Sequence, residues 1–247
     1  MSGFSDNRRP APGKPADEKD LILLRRCRLA RRVAPPGGGV MLDLGCGNGA
    51  QTLLFSEDFS EIVGVDIINR HLLDFRERLR REARAERVLP VLYDGCRLPV
   101  RTASIDYVIS FEVLEHVEDE GRVLSELARI VKPGGVLVMT VPNRWWVFET
   151  HGADLPLLPW NRVPFFGWLP RRIHDRYARA RNYSRPEIVR KLSSAGFTVT
   201  QGVYVTAPMD VVRWTPLRNA LRKTVFRGDD TGVPVLSTSI MIAARRT

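Results

Sequence analysis

The stretch VMLDLGCGNGAQT, from Val40 to Thr52, decides the fold. Apolar residues run into glycines at alternate positions, Gly45, Gly47 and Gly49, and then into a helical pattern. Glycines between a strand and a helix let a ligand approach the backbone closely, because no Cβ stands in the way. The stretch therefore predicts a ligand-binding loop at the carboxyl edge of a parallel sheet.

Strand and helix patterns alternate along the rest of the chain. The predicted strands are Val40–Leu44, Ile62–Val65, Val88–Tyr93, Ile105–Ser110, Val136–Val141, 196–205 and Val235–Arg245. The predicted helices are Asp20–Arg32, Ala50–Ser56, Asn69–Arg84, Asp119–Val131 and Ser184–Ala195, and Met209–Phe226 is an amphipathic basic segment. Because parallel strands need crossover connections, this alternation predicts an α/β fold with helices on both faces of the sheet.

The chain divides into a tail and one domain with an insert. Residues 1–18 lack the apolar core of a secretory signal and predict a disordered tail before a single domain at 19–247. Residues 142–183 interrupt the alternation and contain four of the five tryptophans, with prolines and arginines. Aromatic walls are typical of small-molecule pockets, so we expect a lid over an acceptor. A local tryptophan core, or a lipid surface formed with the basic segment, is the alternative.

Charge and cysteine content exclude several function classes. The net charge is +10, but only five of the 38 basic residues are lysines and the arginines are spread over several segments. This favours solvated faces over a nucleic-acid surface. Cys27, Cys46 and Cys96 form no CxxC pair, which predicts neither disulfides nor a zinc site, and we expect a reduced, cytoplasmic protein. No segment has the ~20 apolar residues of a membrane span.

Acidic residues follow three further predicted strands. Asp66 ends the second strand at the distance where a carboxylate accepts the hydroxyls of a ribose. Asp94 follows the third strand and could hydrogen-bond an adenine amino group, and Glu112 closes the fourth. The dinucleotide pattern GxGxxG would need glycine at position 50, where Ala50 stands, although Asp66 alone does not exclude a dinucleotide.

Four motifs in order, LDLGCGNG, GVDI, DYVISFEVLEHVED and IVKPGG, resemble those of class I S-adenosylmethionine-dependent methyltransferases of the small-molecule and quinone-methylating type. The resemblance covers Val40 to Asn143. It implies a Rossmann-like, mostly parallel sheet of seven strands with an antiparallel last strand, and S-adenosylmethionine as cofactor. The residues that it implies for cofactor binding are Asp43, Gly45, Cys46, Gly47, Gly49, Asp66, Ile67, Asp94, Gly95, Cys96, Phe111 and Glu112.

The same resemblance implies a role for each part of this set. The glycines would wrap the methionine portion, and Asp43 would anchor the loop or the amino group. Asp66 would hold the ribose, and Asp94 with Gly95–Cys96 the adenine. The Phe111–Glu112 pair would border the sulfonium.

Histidines are the candidate catalytic residues. Methyl transfer is an in-line displacement in which the protein aligns the reactants and in some cases supplies a base, and histidine suits that role near neutral pH. His151, beside Glu149 and Asp154 in the insert, and His116, in EVLEHVED, are predicted to be catalytic; structural roles are the alternative for both. We expect His71 to be structural and His174 to face solvent or an anionic group. No pair of histidines has metal-ligand spacing, so no metal is predicted.

Together these patterns predict a methyltransferase acting on a small, largely apolar or aromatic acceptor, at oxygen before carbon or nitrogen, with an anionic group on the acceptor left open. The alternatives are a lipid or polyprenyl methyltransferase at a membrane surface, a nucleic-acid (RNA) methyltransferase and a non-catalytic cofactor-binding scaffold. A monomer or homodimer is expected, and peripheral membrane contact stays open.

Overall fold

The computed structural model describes residues 17, 19–81, 85–153 and 163–247. One sheet contains all the strands, in the order β3-β2-β1-β4-β5-β8-β6-β7. The strands are β1 (Val40–Leu44), β2 (Glu61–Asp66), β3 (Val88–Leu92), β4 (Ile105–Phe111), β5 (Val131–Pro142), β6 (Phe197–Thr206), β7 (Asp230–Thr231) and β8 (Ser237–Arg246).

The helices occupy the connections between these strands. They are α1 (Leu21–Val33), α2 (Ala50–Leu54), α3 (Asn69–Leu79), α4 (Glu120–Ile130), α5 (Arg171–Tyr177), α6 (Arg185–Ser194) and α7 (Thr215–Lys223). Short 3-10 turns lie at Ala85–Arg87, Leu114–His116, Phe166–Trp168 and Pro234–Leu236.

The predicted α/β fold is confirmed. Strands β1 to β5 pair in parallel, whereas β8 is antiparallel to both β5 and β6. The two-residue strand β7 adds an eighth member, antiparallel to β6 at the edge of the sheet. Strand β8 is thus the antiparallel last strand that was predicted. Strand β7 adds one short strand to the predicted seven.

Helices cover both faces of the sheet, which explains the continuous apolar strands. On β1, Leu42 and Leu44 belong to the apolar core that α4 and α6 complete. Met41, which points to the opposite face, belongs to the core that α1 and α3 complete. Strand β1 is therefore buried on both sides, as expected for a central parallel strand.

Element boundaries differ from the prediction mainly around Gly134. Helix α4 ends at Ile130, and β5 begins at Val131 rather than at Val136. Gly134 has φ +76, and the pairing of β4 with β5 shifts register between Ile105 and Tyr107. The glycine-rich turn is thus a bulge inside the strand rather than a loop before it. Helix α3 ends at Leu79, earlier than predicted.

The sequence left open whether the tryptophans of the insert at 142–183 form a local core or line a site, and the insert contains both buried and exposed ones. Trp146 is buried in a small core with Ala207, Met209 and Phe226. By contrast, Trp145 and Trp168 are about two-fifths exposed, and their ring centroids lie 6.4 Å apart. Asp154, Trp160 and Arg162, which were also assigned to this insert, lie outside the described residues, as does nearly all of the predicted tail.

No helix in the described part of the chain is long and apolar enough to cross a membrane.

Candidate active site

The glycine loop after β1 requires glycine for two separate reasons. Gly45, Gly47 and Gly49 all have positive φ, at +77, +54 and +78, where side chains are disfavoured. In addition, a Cβ at Gly45 would lie 2.5 Å from Val113 Cγ2, and one at Gly49 would overlap the ring of Phe75. The loop therefore packs against the segment after β4 on one side and against α3 on the other. Its backbone, rather than side chains, faces the edge of the sheet.

Asp43 fastens the loop from below. It is fully buried, and its carboxylate accepts hydrogen bonds from Gln51 Nε2 at 2.5 Å and Thr52 Oγ1 at 2.6 Å. Burial raises its pKa to about 7, against the opposing effect of these two donors. The side chain joins β1 to α2, which agrees with an anchoring role for Asp43.

Asp66 ties the end of β2 to the same loop. Its Oδ2 accepts from Gly47 N at 2.9 Å, and its Oδ1 accepts from Ile68 N at 2.8 Å. Each carboxylate oxygen can accept a second hydrogen bond. A ligand hydroxyl could therefore be held by Asp66 without breaking the contacts that fix the loop.

The predicted adenine end has an open surface. Asp94 is exposed, and its Oδ1 accepts from the backbone N–H groups of Cys96 and Arg97 at 2.8 and 3.0 Å, which lower its pKa. A Cβ at Gly95 would lie 3.6 Å from Ile67, whose side chain is 55% exposed. Ile67 and Gly95 thus form an exposed apolar corner at the edge of the sheet.

Cys46 and Phe111 contribute differently from the other members of the predicted set. Both side chains are buried in the core on the α1 and α3 side of the sheet. Burial raises the pKa of the Cys46 thiol far above its ordinary value. Cys46 therefore faces the core with its side chain, and only its backbone belongs to the loop surface.

Glu112 stands in a strained position directly after β4. It has φ +56, which is uncommon outside glycine, and such strain clusters at functional sites. Its Oε1 lies 3.0 Å from a guanidinium nitrogen of Arg26 in α1, which also donates to Ser239 Oγ at 2.9 Å. Burial would raise the pKa of Glu112, but Arg26 and His151 outweigh burial and hold it at about 2.

The two predicted catalytic histidines meet beside this glutamate. His151 Nε2 lies 3.3 Å from Glu115 Oε1 and 3.5 Å from Glu112 Oε2. His116 Nε2 lies 3.8 Å from Glu115 Oε1, and the two imidazole rings meet edge to face with centroids 4.7 Å apart. We call Glu112, Glu115, His116 and His151 the His/Glu cluster.

The ionisable groups of the His/Glu cluster shift one another's pKa values. Burial raises the pKa of Glu115 to about 7, and the negative charge of Glu112 adds to the effect. Burial alone would lower the pKa of His151, but the two carboxylates outweigh it and raise the pKa to about 10. The cluster therefore concentrates two acidic and two basic groups in a largely buried site.

Sequence reasoning missed two residues of this site. Glu115 lies in the same EVLEH motif as Glu112 and directly before His116, so it could have been found there. Arg26 gave no signal, because it belongs to an arginine-rich helix that reads as a solvated face. Only the fold brings α1 against the end of β4.

One expectation about the other histidines needs correction. His174 does not face solvent: it is 1% exposed, with Nε2 3.1 Å from Glu149 Oε2 and Nδ1 3.0 Å from Asp175 Oδ1. Burial opposes its protonation, yet the two carboxylates raise its pKa. Glu149 consequently pairs with His174 and not with His151, because α5 places His174 next to Glu149. His71 Nδ1 lies 3.7 Å from Asp66 Oδ1.

Several arginines of the insert are used in internal contacts. Arg171 pairs with Glu187 at 2.5 Å, and Arg144 donates to the carbonyl oxygen of Leu169 at 3.1 Å. Arg181 donates to the carbonyl oxygen of Val117, and so connects the insert to the segment after the His/Glu cluster. These three side chains hold the insert in place.

Comparisons with known proteins agree with the architecture. Residues 42–139 match a family described as a methyltransferase domain. A probable S-adenosylmethionine-dependent methyltransferase of Mycolicibacterium smegmatis is 30% identical over 180 residues, which are 72% of this chain and 58% of that protein. A ubiquinone biosynthesis O-methyltransferase of Methylobacterium nodulans is 29% identical over 237 residues, 92% of this chain and 81% of that protein.

Among solved structures, an S-adenosylmethionine-dependent methyltransferase from Mesorhizobium loti has a TM-score of 0.62 at 18% identity, covering 90% of this chain and 98% of that one. This likeness shows the shared fold. The chain spans about half the length of the first curated relatives that it matches.

Proposed function

We propose that this chain, which belongs to the class I S-adenosylmethionine-dependent methyltransferases, transfers the methyl group to an oxygen of a small, largely apolar or aromatic acceptor. The observation that carries the proposal is the buried His/Glu cluster directly beside the glycine loop. Val113, which follows Glu112, is the residue that a Cβ at Gly45 would strike. Acid–base groups thus adjoin the loop at which the family's cofactor binds.

S-adenosylmethionine fits the edge of the sheet. The Cβ-free backbone of Gly45 and Gly47 would take the methionine portion, and Asp66 would accept the ribose hydroxyls with its remaining lone pairs. Ile67 and Gly95 would border the adenine. When bound, the cofactor supplies a sulfonium methyl group as the electrophile. The chain supplies alignment and a largely buried site.

The His/Glu cluster supports attack by oxygen. A carboxylate can take the proton of a hydroxyl, and a protonated imidazole such as that of His151 can orient the hydroxyl by donating a hydrogen bond. Carbon and nitrogen acceptors do not require such groups in every case. The relative from Methylobacterium nodulans is named as an O-methyltransferase, which agrees with this choice. His151 and His116 are thus proposed to contact the acceptor, and Glu112 and Arg26 to fix their surroundings.

The insert supports an apolar or aromatic acceptor. It supplies His151 to the cluster, so this segment helps to bound the acceptor side of the site. The exposed aromatic side chains of Trp145, Phe165 and Trp168 lie in the same insert and contact one another. Such side chains offer stacking surfaces to an aromatic ring. We propose the insert as a lid over the acceptor.

A methyl-transfer assay with labelled S-adenosylmethionine tests the proposal. Phenols, quinols and prenyl phosphates are offered in parallel, with a transfer RNA mixture as the nucleic-acid alternative. Label in a phenol or quinol is the expected result, and His151→Gln should reduce turnover while cofactor affinity is kept. Label in RNA alone, or no label in any acceptor although cofactor binds, would replace the proposal by the nucleic-acid or scaffold reading.

Helix α7 favours a second candidate, an acceptor held at a lipid surface. None of its residues is buried, and Trp214 and Leu217 expose apolar side chains beside Arg213, Arg218 and Lys223. Exposed tryptophan and leucine next to basic residues are typical of helices that lie in an anionic membrane interface. A polyprenyl acceptor would reach the enzyme from such a surface.

A further inference from the structure

The His/Glu cluster has the composition and geometry of a metal site, although the spacing of histidines in the sequence predicts no metal. Glu115, His116 and His151 each offer one ligand atom, and these atoms lie within 4.8 Å of one another. Two of the three donors are adjacent in the motif, and the third comes from the insert. A search for paired histidines in the sequence could not detect this arrangement.

The distances between the donor atoms allow all three to bind one ion. Two ligands of a tetrahedral ion with bonds of about 2.1 Å stand about 3.4 Å apart. Glu115 Oε1 lies 3.3 Å from His151 Nε2 and 3.8 Å from His116 Nε2. The three donors therefore need only small movements to reach a shared centre.

Glu115 provides an independent reason to expect a ligand. Its side chain is fully buried, yet neither carboxylate oxygen has a partner with hydrogen-bond geometry among the described residues. Leaving a buried carboxylate without hydrogen bonds costs several kcal/mol in general, so such a group requires an explanation. The contact with His151 at 3.3 Å is close but does not meet that geometry. A cation between the donors would satisfy the Glu115 carboxylate.

The second carboxylate of the cluster stands beside the three donors. Arg26 contacts Glu112 at 3.0 Å and holds its carboxylate in place. Glu112 Oε2 faces His151 Nε2 at 3.5 Å and would stand beside the ion, where Arg26 keeps it oriented. Carboxylates around the ligands commonly orient them in this way.

We infer that Glu115, His116 and His151 bind one divalent first-row transition ion of the Zn²⁺, Co²⁺ or Mn²⁺ type. Two imidazole nitrogens and a carboxylate suit such ions, whereas Mg²⁺ prefers oxygen ligands throughout. Three protein ligands leave a coordination position open. That position would take the acceptor oxygen, and this last part alone rests on the proposed function.

Cobalt titration of the full chain tests the inference without relying on catalysis. The protein is stripped by dialysis against a chelator and titrated with CoCl₂, while visible absorption and equilibrium dialysis report the bound ion. About one Co²⁺ per chain, with visible bands of a low-coordinate site and displacement by Zn²⁺, is expected. Glu115→Gln and His151→Gln should each weaken binding by at least about tenfold.

Glu118→Gln is the matched control, since it neutralises a neighbouring carboxylate outside the ligand set. Circular dichroism and cofactor binding establish that each variant is folded. If Glu115→Gln does not fold, His151→Gln alone tests the site. The inference is overturned if the wild type binds no stoichiometric Co²⁺, or if the folded variants bind it as tightly as Glu118→Gln. Undiminished methyl transfer by metal-free protein would refute the ion's contact with the acceptor and leave the proposed function standing. Metal binding without cofactor binding would support the metal site and contradict the proposed function.

Discussion

Single residues of the glycine loop are constrained by packing as much as by the ligand. Gly49 has φ +78, and its Cα faces the ring of Phe75 in α3. A side chain at this position would meet both a disfavoured backbone conformation and a buried aromatic ring. The alternate glycines therefore have a structural purpose before any cofactor binds, and substitutions in the loop should reveal it.

Gly49→Ala is expected to lower the free energy of unfolding by at least about 2 kcal/mol, since strain at positive φ adds to overpacking. Gly37→Ala is the matched control, because nothing lies within 4 Å of a Cβ at that position. Urea unfolding followed by circular dichroism measures both. Equal stability of the two variants would contradict the packing account of Gly49.

Asp66→Ala is expected to weaken S-adenosylmethionine binding by at least about tenfold, which corresponds to about 1.4 kcal/mol. The substitution removes a ribose acceptor and also the anchor of the Gly47 and Ile68 N–H groups. Asp94→Ala should have a smaller effect, since Asp94 is exposed to solvent. Calorimetric titration measures both affinities, and an unchanged affinity of Asp66→Ala would disprove the assignment.

At the scale of elements, Asp43 joins β1 to α2 through a buried carboxylate. Its pKa makes the contribution of this contact to the free energy of unfolding depend on pH. The pKa is about 7 in the folded chain, against 3.8 as the ordinary value. A raised pKa in the folded state stabilises the fold below the ordinary pKa, and this contribution is lost as pH rises through the folded pKa. The window is therefore about pH 4 to 7.

Wild type compared with Asp43→Asn isolates this contribution. Within the window, the wild-type free energy of unfolding should fall relative to that of the variant by up to about 1.4 kcal/mol per pH unit. Thr52 and Gln51 can each turn an accepting group towards the amide, so the variant should fold. Urea unfolding at several pH values measures the difference. A constant difference across the window would show that Asp43 is ionised in the folded chain throughout.

Helix α7 makes a prediction about lipid surfaces. The protein should sediment with vesicles of phosphatidylglycerol and not with phosphatidylcholine vesicles, since the helix combines apolar and basic side chains. Trp214→Ser should reduce this binding severalfold, whereas Trp168→Ser, at an exposed position in the insert, should not. Equal loss in both variants would move the contact to the insert, and no sedimentation of the wild type would remove the second candidate function.

At the scale of the whole molecule, the sequence indicated the sheet and one edge of it well. Alternating strands and helices require crossover connections, so the carboxyl ends of β1, β2, β3 and β4 had to meet, and Asp43, Asp66, Asp94 and Glu112 stand at or near those ends. Local patterns suffice for this, because each residue is placed by its own strand. The prediction of an antiparallel last strand came from family resemblance and is confirmed.

Contacts between distant segments could not be predicted in this way. Arg26 reaches Glu112 only because α1 packs on the sheet over β6 and β8, and His151 reaches Glu115 only through the path of the insert. His174 was expected to face solvent or an anionic group, and the course of α5 instead buries it between Glu149 and Asp175. Each of these pairings depends on tertiary packing, which leaves no periodic signal in a single sequence.

The measurement that tests the central claim most directly is a calorimetric titration of the purified chain with S-adenosylmethionine and S-adenosylhomocysteine, with NADH as control. We predict binding of about one equivalent of the first two ligands in the micromolar range, or about −8 kcal/mol, and no heat with NADH. No binding of S-adenosylmethionine, or binding of NADH in its place, would contradict the account of the glycine loop and of Asp66.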